Sequence, residues 1–290
     1  MDVLARRLRC GRISYTNDLP VYAAFDLGAL EFPGTLHPDV PSGLNRALLA
    51  GELDVSPVSS FFYAQHVDEL VKLRGICIGS RREAKSIQCV SRVHPRELGG
   101  ARIAVTTDSA TGRALFDVIC RTGYGFAPRF EPSADPLGEF QRTGAPCVLI
   151  GDAAIDAALA YPEHAHDIGE LWHGFTGADM VYAVWVMRKD TLSREMLTGV
   201  AASGTILEAL LASLTYSREH KADVIRLAQT QRPRPPRFYE AYYAALNYTY
   251  DAKAQLGFGK FCAMAQACGV LDPALQIPET RVTTEFVYDV

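Results

Sequence analysis

The chain has 290 residues, 48% of them hydrophobic and 21% charged, with a formal net charge of −4. A chain of this length and mix buries a core without disulfides or structural metal, which excludes a disordered, collagen-like or membrane-bundle protein. The acidic balance offers no basic footprint for nucleic acid, so no nucleic-acid partner is expected.

Seven cysteines form no CxxC pair and sit mostly inside apolar runs. They read as small reduced hydrophobes, as in a cytoplasmic protein. The first residues, MDVLARRLRCGRISY, lack the apolar segment of a secretory signal. No apolar run is long enough to span a bilayer, so no membrane partner is expected.

In chain order, Arg9 to Ile13 predicts a strand, and a turn at Thr16-Asn17-Asp18 leads to a helix opened by Pro20. Ser42 to Ala50 predicts a helix closed by Gly51. Leu53 to Pro57 predicts a strand, Ser59 caps a helix to about Val67, and Val71 to Ile78 is the next strand. Ser86 to Ser91 is a strand, followed by a polar connection from His94 to Gly100. The alternation then restarts. Strands are expected at Arg102–Thr106, Phe126–Phe130, Cys147–Ile150 and Met180–Met187, with helices at Thr111–Arg121 and Asp152–Ala160. From Thr191 the pattern is helical: Ser193–Leu214, Arg218–Gln229, Pro236–Tyr250 and Asp251–Ala267. Ile277 to Tyr288 fits neither period. A rigid Arg232-Pro-Arg-Pro-Pro connector interrupts the helices. The aromatic face of Phe238, Tyr239, Tyr242 and Tyr243 is read as core.

This order predicts an α/β protein with two lobes, mostly parallel sheets and a helical C-terminal segment. Two crossings, near residues 86–100 and 180–190, make it a clamshell. Residues 1–92 and 183–290 are assigned to lobe one, and 93–182 to lobe two. Ligands of such folds sit between the lobes, at strand carboxyl ends and helix N-termini.

Three strand-to-helix turns carry hydroxyls toward that cleft: Ser14 to Asn17, Ser56 to Ser60, and Thr106 to Gly112. Each offers free N–H groups at a helix start, which suits an anion as well as simple capping. Asp152, after the apolar strand, is either an N-cap or a cleft residue. Arg81, Arg82 and Lys85 cluster beside Ser86, and the two arginines read as solvated. His164 and His166 form an H-x-H with no third ligand nearby, so they read as an exposed loop and no metal is expected. The residues thus point to a small, anionic ligand.

Several segments together resemble the chorismate dehydratase family of the futalosine route to menaquinone. They are Gly11-Arg-Ile-Ser-Tyr-Thr-Asn17, Pro41-Ser-Gly-Leu-Asn45 and Gly51-Glu-Leu-Asp-Val-Ser-Pro-Val-Ser-Ser60. Val105-Thr-Thr-Asp-Ser-Ala-Thr111, Leu149-Ile-Gly-Asp-Ala-Ala154, Ile168-Gly-Glu-Leu-Trp172 and Ala183-Val-Trp185 continue the series in consistent order. The resemblance implies a type II periplasmic-binding-protein-like clamshell. It implies loss of water from chorismate, a dicarboxylate, to give 3-[(1-carboxyvinyl)oxy]benzoate, without metal or organic cofactor. It places Asn17 at the reacting centre and makes Ser59, Ser60, Ser86, Ser109 and Thr111 carboxylate or hydroxyl contacts. Asp152 stands in the family's GDA turn, and Thr176 stands in its WTG-like turn. Phe175 to Asp179 departs from that turn, lacking Leu-Pro after the glycine.

No histidine stands in these motifs. The proton acceptor is therefore Asp152 or a carboxylate of the substrate, with Asn17 orienting the leaving hydroxyl; the second version is preferred. Two alternatives share the fold. One is a non-catalytic receptor for small anions, which an export signal would mark. The other is the sister 1,4-dihydroxy-6-naphthoate synthase, which would be expected to use a histidine base.

Overall fold

Strands and helices alternate through the first 190 residues of this computed structural model, which describes residues 7–106, 110–192 and 202–280. The first lobe is built from β1 (Arg9–Ile13), α1 (Leu19–Asp26), β2 (Thr35–Asp39), α2 (Pro41–Leu49), β3 (Val55–Ser59), α3 (Ser60–Gln65) and β4 (Leu70–Ser80). The second contains β5 (Ile87–Val90), β6 (Arg102–Val105), α4 (Ala110–Ile119), β7 (Arg129–Pro132) and α5 (Pro136–Thr143). It continues with β8 (Cys147–Ile150), α6 (Gly151–Ala160), β9 (Ala165–Asp167) and α7 (Ile168–Thr176). The chain returns through β10 (Met180–Arg188). Then follow α8 (Ala202–Glu219), α9 (Lys221–Gln231), α10 (Pro236–Ala245), β11 (Leu246–Asn247) and α11 (Ala252–Ala267). The unassigned Ile277–Tyr288 stretch and the start of the helix expected from Ser193 lie largely outside the described residues.

The first sheet has the order β11-β4-β10-β3-β1-β2, and the second β7-β6-β8-β5-β9. β1 runs parallel to β2 and β3. β10 returns antiparallel between β3 and β4, so the first sheet is mixed rather than nearly all parallel. β2 was not expected from the sequence. Its Thr-Leu-His-Pro-Asp has no apolar face and is mostly exposed, and Pro38 is tolerated because the strand lies at the sheet edge.

The expected helix to Tyr250 stops at Ala245, where Leu246 and Asn247 pair with Ser80 and Gly79. The Asn247 side chain accepts from the Thr249 amide at 3.0 Å, a local bond that favours a turn over another helical residue.

The lobe boundary also differs from expectation. β5 pairs with β8 and β9 in the second sheet, so the first crossing is at residues 81–86 rather than beyond 92. β10 begins in the first sheet at Met180, which puts the second crossing at 177–179. Ser80 stands opposite Met180 in the β4–β10 register, so both crossings leave the sheet side by side. Gly79 permits this: a Cβ there would lie 2.5 Å from the Met180 carbonyl oxygen. Within the first crossing, Lys85 has a φ of 58°, held by its amide donating to Asp167 Oδ2 at 2.6 Å.

The core follows from the aromatic and aliphatic positions. Trp185 donates its indole N–H to the Tyr22 hydroxyl at 3.1 Å, which donates to the Gly11 carbonyl at 3.2 Å. These bonds satisfy the polar ends of buried rings. Tyr239 and Tyr242 are fully buried, as the aromatic face of α10 predicts. α8 and α9 pack on α1, and α11 lies against β10. Six of the seven cysteines are buried and all seven are free.

Candidate functional site

A cleft with a cavity volume of about 70 Å³ lies between the two sheets. Five helix starts meet at it. Asn17 precedes α1, Pro41 opens α2, Ser59 caps α3, Ala110 to Gly112 form the first turn of α4, and Gly151 opens α6. The starts of α1, α2 and α6 have no side-chain cap. Aligned helix dipoles favour an anion, while at α1 the Leu19 and Val21 amides already donate to the Thr16 and Asp18 carbonyls and at α6 the Gly151 amide donates to that of Ser86. Ile13, Ile78, Ile87 and Ile150 supply apolar walls, and Tyr15 and Tyr182 add rings.

Four residues singled out from the sequence line this cleft together: Asn17, Ser59, Ser86 and Thr111. Asn17 Oδ1 is buried without a hydrogen-bond partner. A buried amide oxygen left open costs free energy unless a ligand or water meets it. The backbone of that turn is pinned from the C-terminal segment. The Tyr243 hydroxyl donates to the Thr16 carbonyl at 3.1 Å, and the Tyr248 hydroxyl donates to the Asn17 carbonyl at 2.9 Å. Next to it, Asp18 accepts from the Ile13 amide at 2.9 Å, and burial pushes its carboxyl up to about 8.

Ser59 Oγ accepts from the Phe62 amide at 3.1 Å, so its proton is free to be donated into the cleft. Thr111 Oγ1 accepts from the Phe61 amide at 3.2 Å. That bond joins α4 of one lobe to α3 of the other. Ser86 Oγ donates to the Ala84 carbonyl at 3.3 Å.

The other expected residues stand differently. Ser60 is fully buried and donates to the Val181 carbonyl at 2.6 Å, joining α3 to β10 rather than lining the cleft. Thr176 is the last residue of α7 and donates to the Trp172 carbonyl at 2.8 Å. There the helix continues where the sequence suggested a turn, and Gly177 ends it with a φ of 67°. Ser109 lies outside the described residues.

Asp152 does not present a free carboxylate. Its Oδ1 accepts from Thr16 Oγ1 at 2.8 Å and from Arg234 at 2.7 Å. It is the neighbour of Gly151, whose φ of 62° turns the backbone at the cleft. His166 belongs to β9 rather than to an exposed loop, because its strand pairs with β5. Its ring lies 5.5 Å from that of His94, and burial lowers its pKa. Among the described residues no three His, Cys, Asp or Glu side chains come together as metal ligands.

Sequence reasoning missed Tyr15, Tyr182, Tyr243, Tyr248 and Arg234. The tyrosines carry no distinguishing spacing. The signal for Arg234 was its place between prolines, which fixes a cation where the chain has little freedom.

A family model described as menaquinone biosynthesis matches residues 8–267. The chain belongs to that family. A relative named chorismate dehydratase, from Thermus thermophilus, is 34% identical over 167 residues. The match covers 52% of this chain and 60% of the relative. Among solved structures, protein AF1704 from Archaeoglobus fulgidus superposes with a TM-score of 0.70 at 18% identity, covering 92% of this chain and all of that one. The periplasmic aliphatic sulphonate binding protein SsuA from Escherichia coli gives 0.63 at 16%, covering 94% and 91%. The CA3427 gene product of Candida albicans, described as having the generic periplasmic binding protein fold, gives 0.66 at 11%, covering 96% and 94%. The fold of the family member described here is thus the periplasmic-binding-protein clamshell. Among the described residues, no helix is long and apolar enough to cross a membrane.

Proposed function

We propose that the protein is a chorismate dehydratase, a lyase of the futalosine route to menaquinone. It removes water from chorismate to leave 3-[(1-carboxyvinyl)oxy]benzoate. The observation that carries this reading is the unpartnered Asn17 Oδ1 in a cleft ringed by helix N-termini and hydroxyls. The 34% identical relative supports it. The buried free thiols support a reducing cytoplasmic setting.

Chorismate has two carboxylates, a diene ring, an enol ether and a ring hydroxyl. The helix starts and the hydroxyls of Ser59 and Thr111 suit the carboxylates, Ser86 lines the cleft with its proton given to the Ala84 carbonyl, and the isoleucine walls suit the ring. In the reaction the C–H bond breaks at the ring carbon bearing the enol ether. Its electron pair forms the new ring double bond, and the neighbouring C–O bond breaks. The hydroxyl departs as water after taking a proton, and the ring becomes aromatic. Much of the driving force therefore lies in the substrate, so the protein's task is positioning and exclusion of water.

Asp152 is engaged by Thr16 and Arg234. That favours a carboxylate of the substrate as the proton acceptor, with the Asn17 amide orienting the leaving hydroxyl. Ser60 and Thr176 act on the frame of the site, and Ser109 is proposed, from the family resemblance alone, as a substrate contact.

Purified protein incubated with chorismate should bleach the diene absorbance and yield a product lighter by one water in mass spectrometry. Binding without turnover would instead support a non-catalytic small-anion receptor, the reading that the likeness to SsuA favours.

A further inference from the structure

We infer that Arg234 is the positioning residue that holds the two lobes closed over the cleft and neutralises Asp152 beside a bound dianion. The guanidinium extends from the connector between α9 and α10, which pack on the first lobe. It reaches α6 of the second. One nitrogen donates to Asp152 Oδ1 at 2.7 Å and another to the Asp152 carbonyl at 3.3 Å. Nε and the second terminal nitrogen both donate to Asp156 Oδ1, at 3.1 and 2.5 Å. Asp152 and Asp156 are four residues apart, so they share one face of α6. A planar fork spans two carboxylates in that arrangement, and a lysine ammonium does not.

Arg234 is itself held. Pro233 and Pro235 flank it. Its carbonyl accepts from Gln229 at 3.2 Å, and its guanidinium lies 5.5 Å from the Phe238 ring centre. Little side-chain freedom remains to be lost when the pair forms. The side chains of Arg234 and Asp152 are 5% and 8% exposed, so without Arg234 the Asp152 carboxylate would be a buried charge with no cation beside it. Asp152 also accepts from Thr16, in the first lobe. Its neighbour Gly151 and Thr16's neighbours Tyr15 and Asn17 line the cavity. The closing contact therefore sits one residue from the ligand on both sides. The two crossings allow the lobes to part, and parting them breaks these bonds. A carboxylate left uncompensated there would repel an anion. The charge argument rests on the anionic ligand proposed above, whereas the closure argument stands on the geometry alone.

Paired nitroxide labels test it in the free protein. Leu159 on α6 is 54% exposed, and Thr230 on α9 is exposed. Cysteines at these two sites, in a Cys268→Ser background, leave the six buried thiols unlabelled. Electron–electron distance measurements should show one short population in the parent and longer distances in Arg234→Ala. Arg234→Lys, which keeps the buried charge, should fall between them, and it carries the test if the alanine variant does not fold. Unchanged distances in the variants overturn the latch. With chorismate, KM should rise at least tenfold in Arg234→Ala while saturating turnover falls less, because ligand binding must then supply closure. Lysine should restore part of KM. An unchanged KM with reduced turnover also overturns it. A parent protein that ignores chorismate removes the proposed activity and leaves the label distances to decide the latch.

Discussion

The Tyr248 hydroxyl donates to the Asn17 carbonyl oxygen over 2.9 Å, so the C-terminal segment fixes the turn that aims Asn17 into the cleft. The amide itself keeps Oδ1 open. Asn17→Asp preserves shape but replaces the amide donors with a negative charge. Turnover should fall on the order of 100-fold, as for loss of one preorganised donor at developing charge. Chorismate should still bind, more weakly. Single-turnover rates at saturating chorismate check this, and near-normal rates would reduce Asn17 to a turn residue. Tyr248→Phe should lower turnover in the same direction and by less.

Thr111 accepts from the Phe61 amide across the lobes and is proposed to donate its proton to the ligand. Thr111→Ala should weaken binding by roughly 10- to 150-fold, the equivalent of about 1.5–3 kcal/mol for a hydrogen bond to a charged group. Thr111→Ser keeps the hydroxyl and should recover most of the loss. Calorimetric titration with chorismate measures both, and equal affinities for the alanine variant and the parent would make Thr111 only a lobe contact.

Ser60 satisfies the Val181 carbonyl, away from the cleft lining. Ser60→Ala leaves that buried oxygen unpaired, at a cost of about 1–3 kcal/mol. Thermal unfolding should show a Tm lower by several degrees with KM unchanged. A raised KM with an unchanged Tm would return Ser60 to the ligand contacts.

Burial pushes the Asp18 carboxyl up to about 8, opposed by the Arg12 charge and the Ile13 amide and reinforced by Asp26. Free aspartate titrates near 4, so between about 4 and 8 the folded chain retains a proton that the unfolded chain releases. This group's contribution to stability is therefore full below about 4, declines as pH rises, and levels off above about 8. The slope reaches at most about 1.4 kcal/mol per pH unit. Asp18→Asn mimics the protonated form and should flatten this dependence in denaturant titrations from about pH 4 to 9, which span the window. An identical pH slope in the variant would assign the dependence to other groups.

Much of the fold was legible because local chemistry and tertiary packing agree. Cys147–Ile150 is an apolar run with one way to be buried, Arg9–Ile13 buries Cys10, Gly11 and Ile13 beside two half-buried arginines, and both strands fall where the sequence put them. Ser59 was readable as a cap because an N-terminal hydroxyl bonds only its own first turn. Asn17, Ser59, Ser86 and Thr111 meet at the cleft because each follows or faces a strand end, and strand ends of such lobes converge.

Local chemistry thus sets the alternation, the two lobes and the polar turns between them. Tertiary structure alone decided the rest. β2 and β11 form by pairing with strands distant in sequence, which no local period announces. Ser60 and Ser59 are chemically alike neighbours, yet their directions alternate along the chain, and only packing against β10 sends Ser60 inward. The partners of Asp152 come from opposite ends of the chain: Thr16, 136 residues before it, and Arg234, 82 residues after it. In the sequence, Asp152 reads as a helix cap, a cleft residue or a possible base. It becomes a closing contact only when folding brings a buried cation to it.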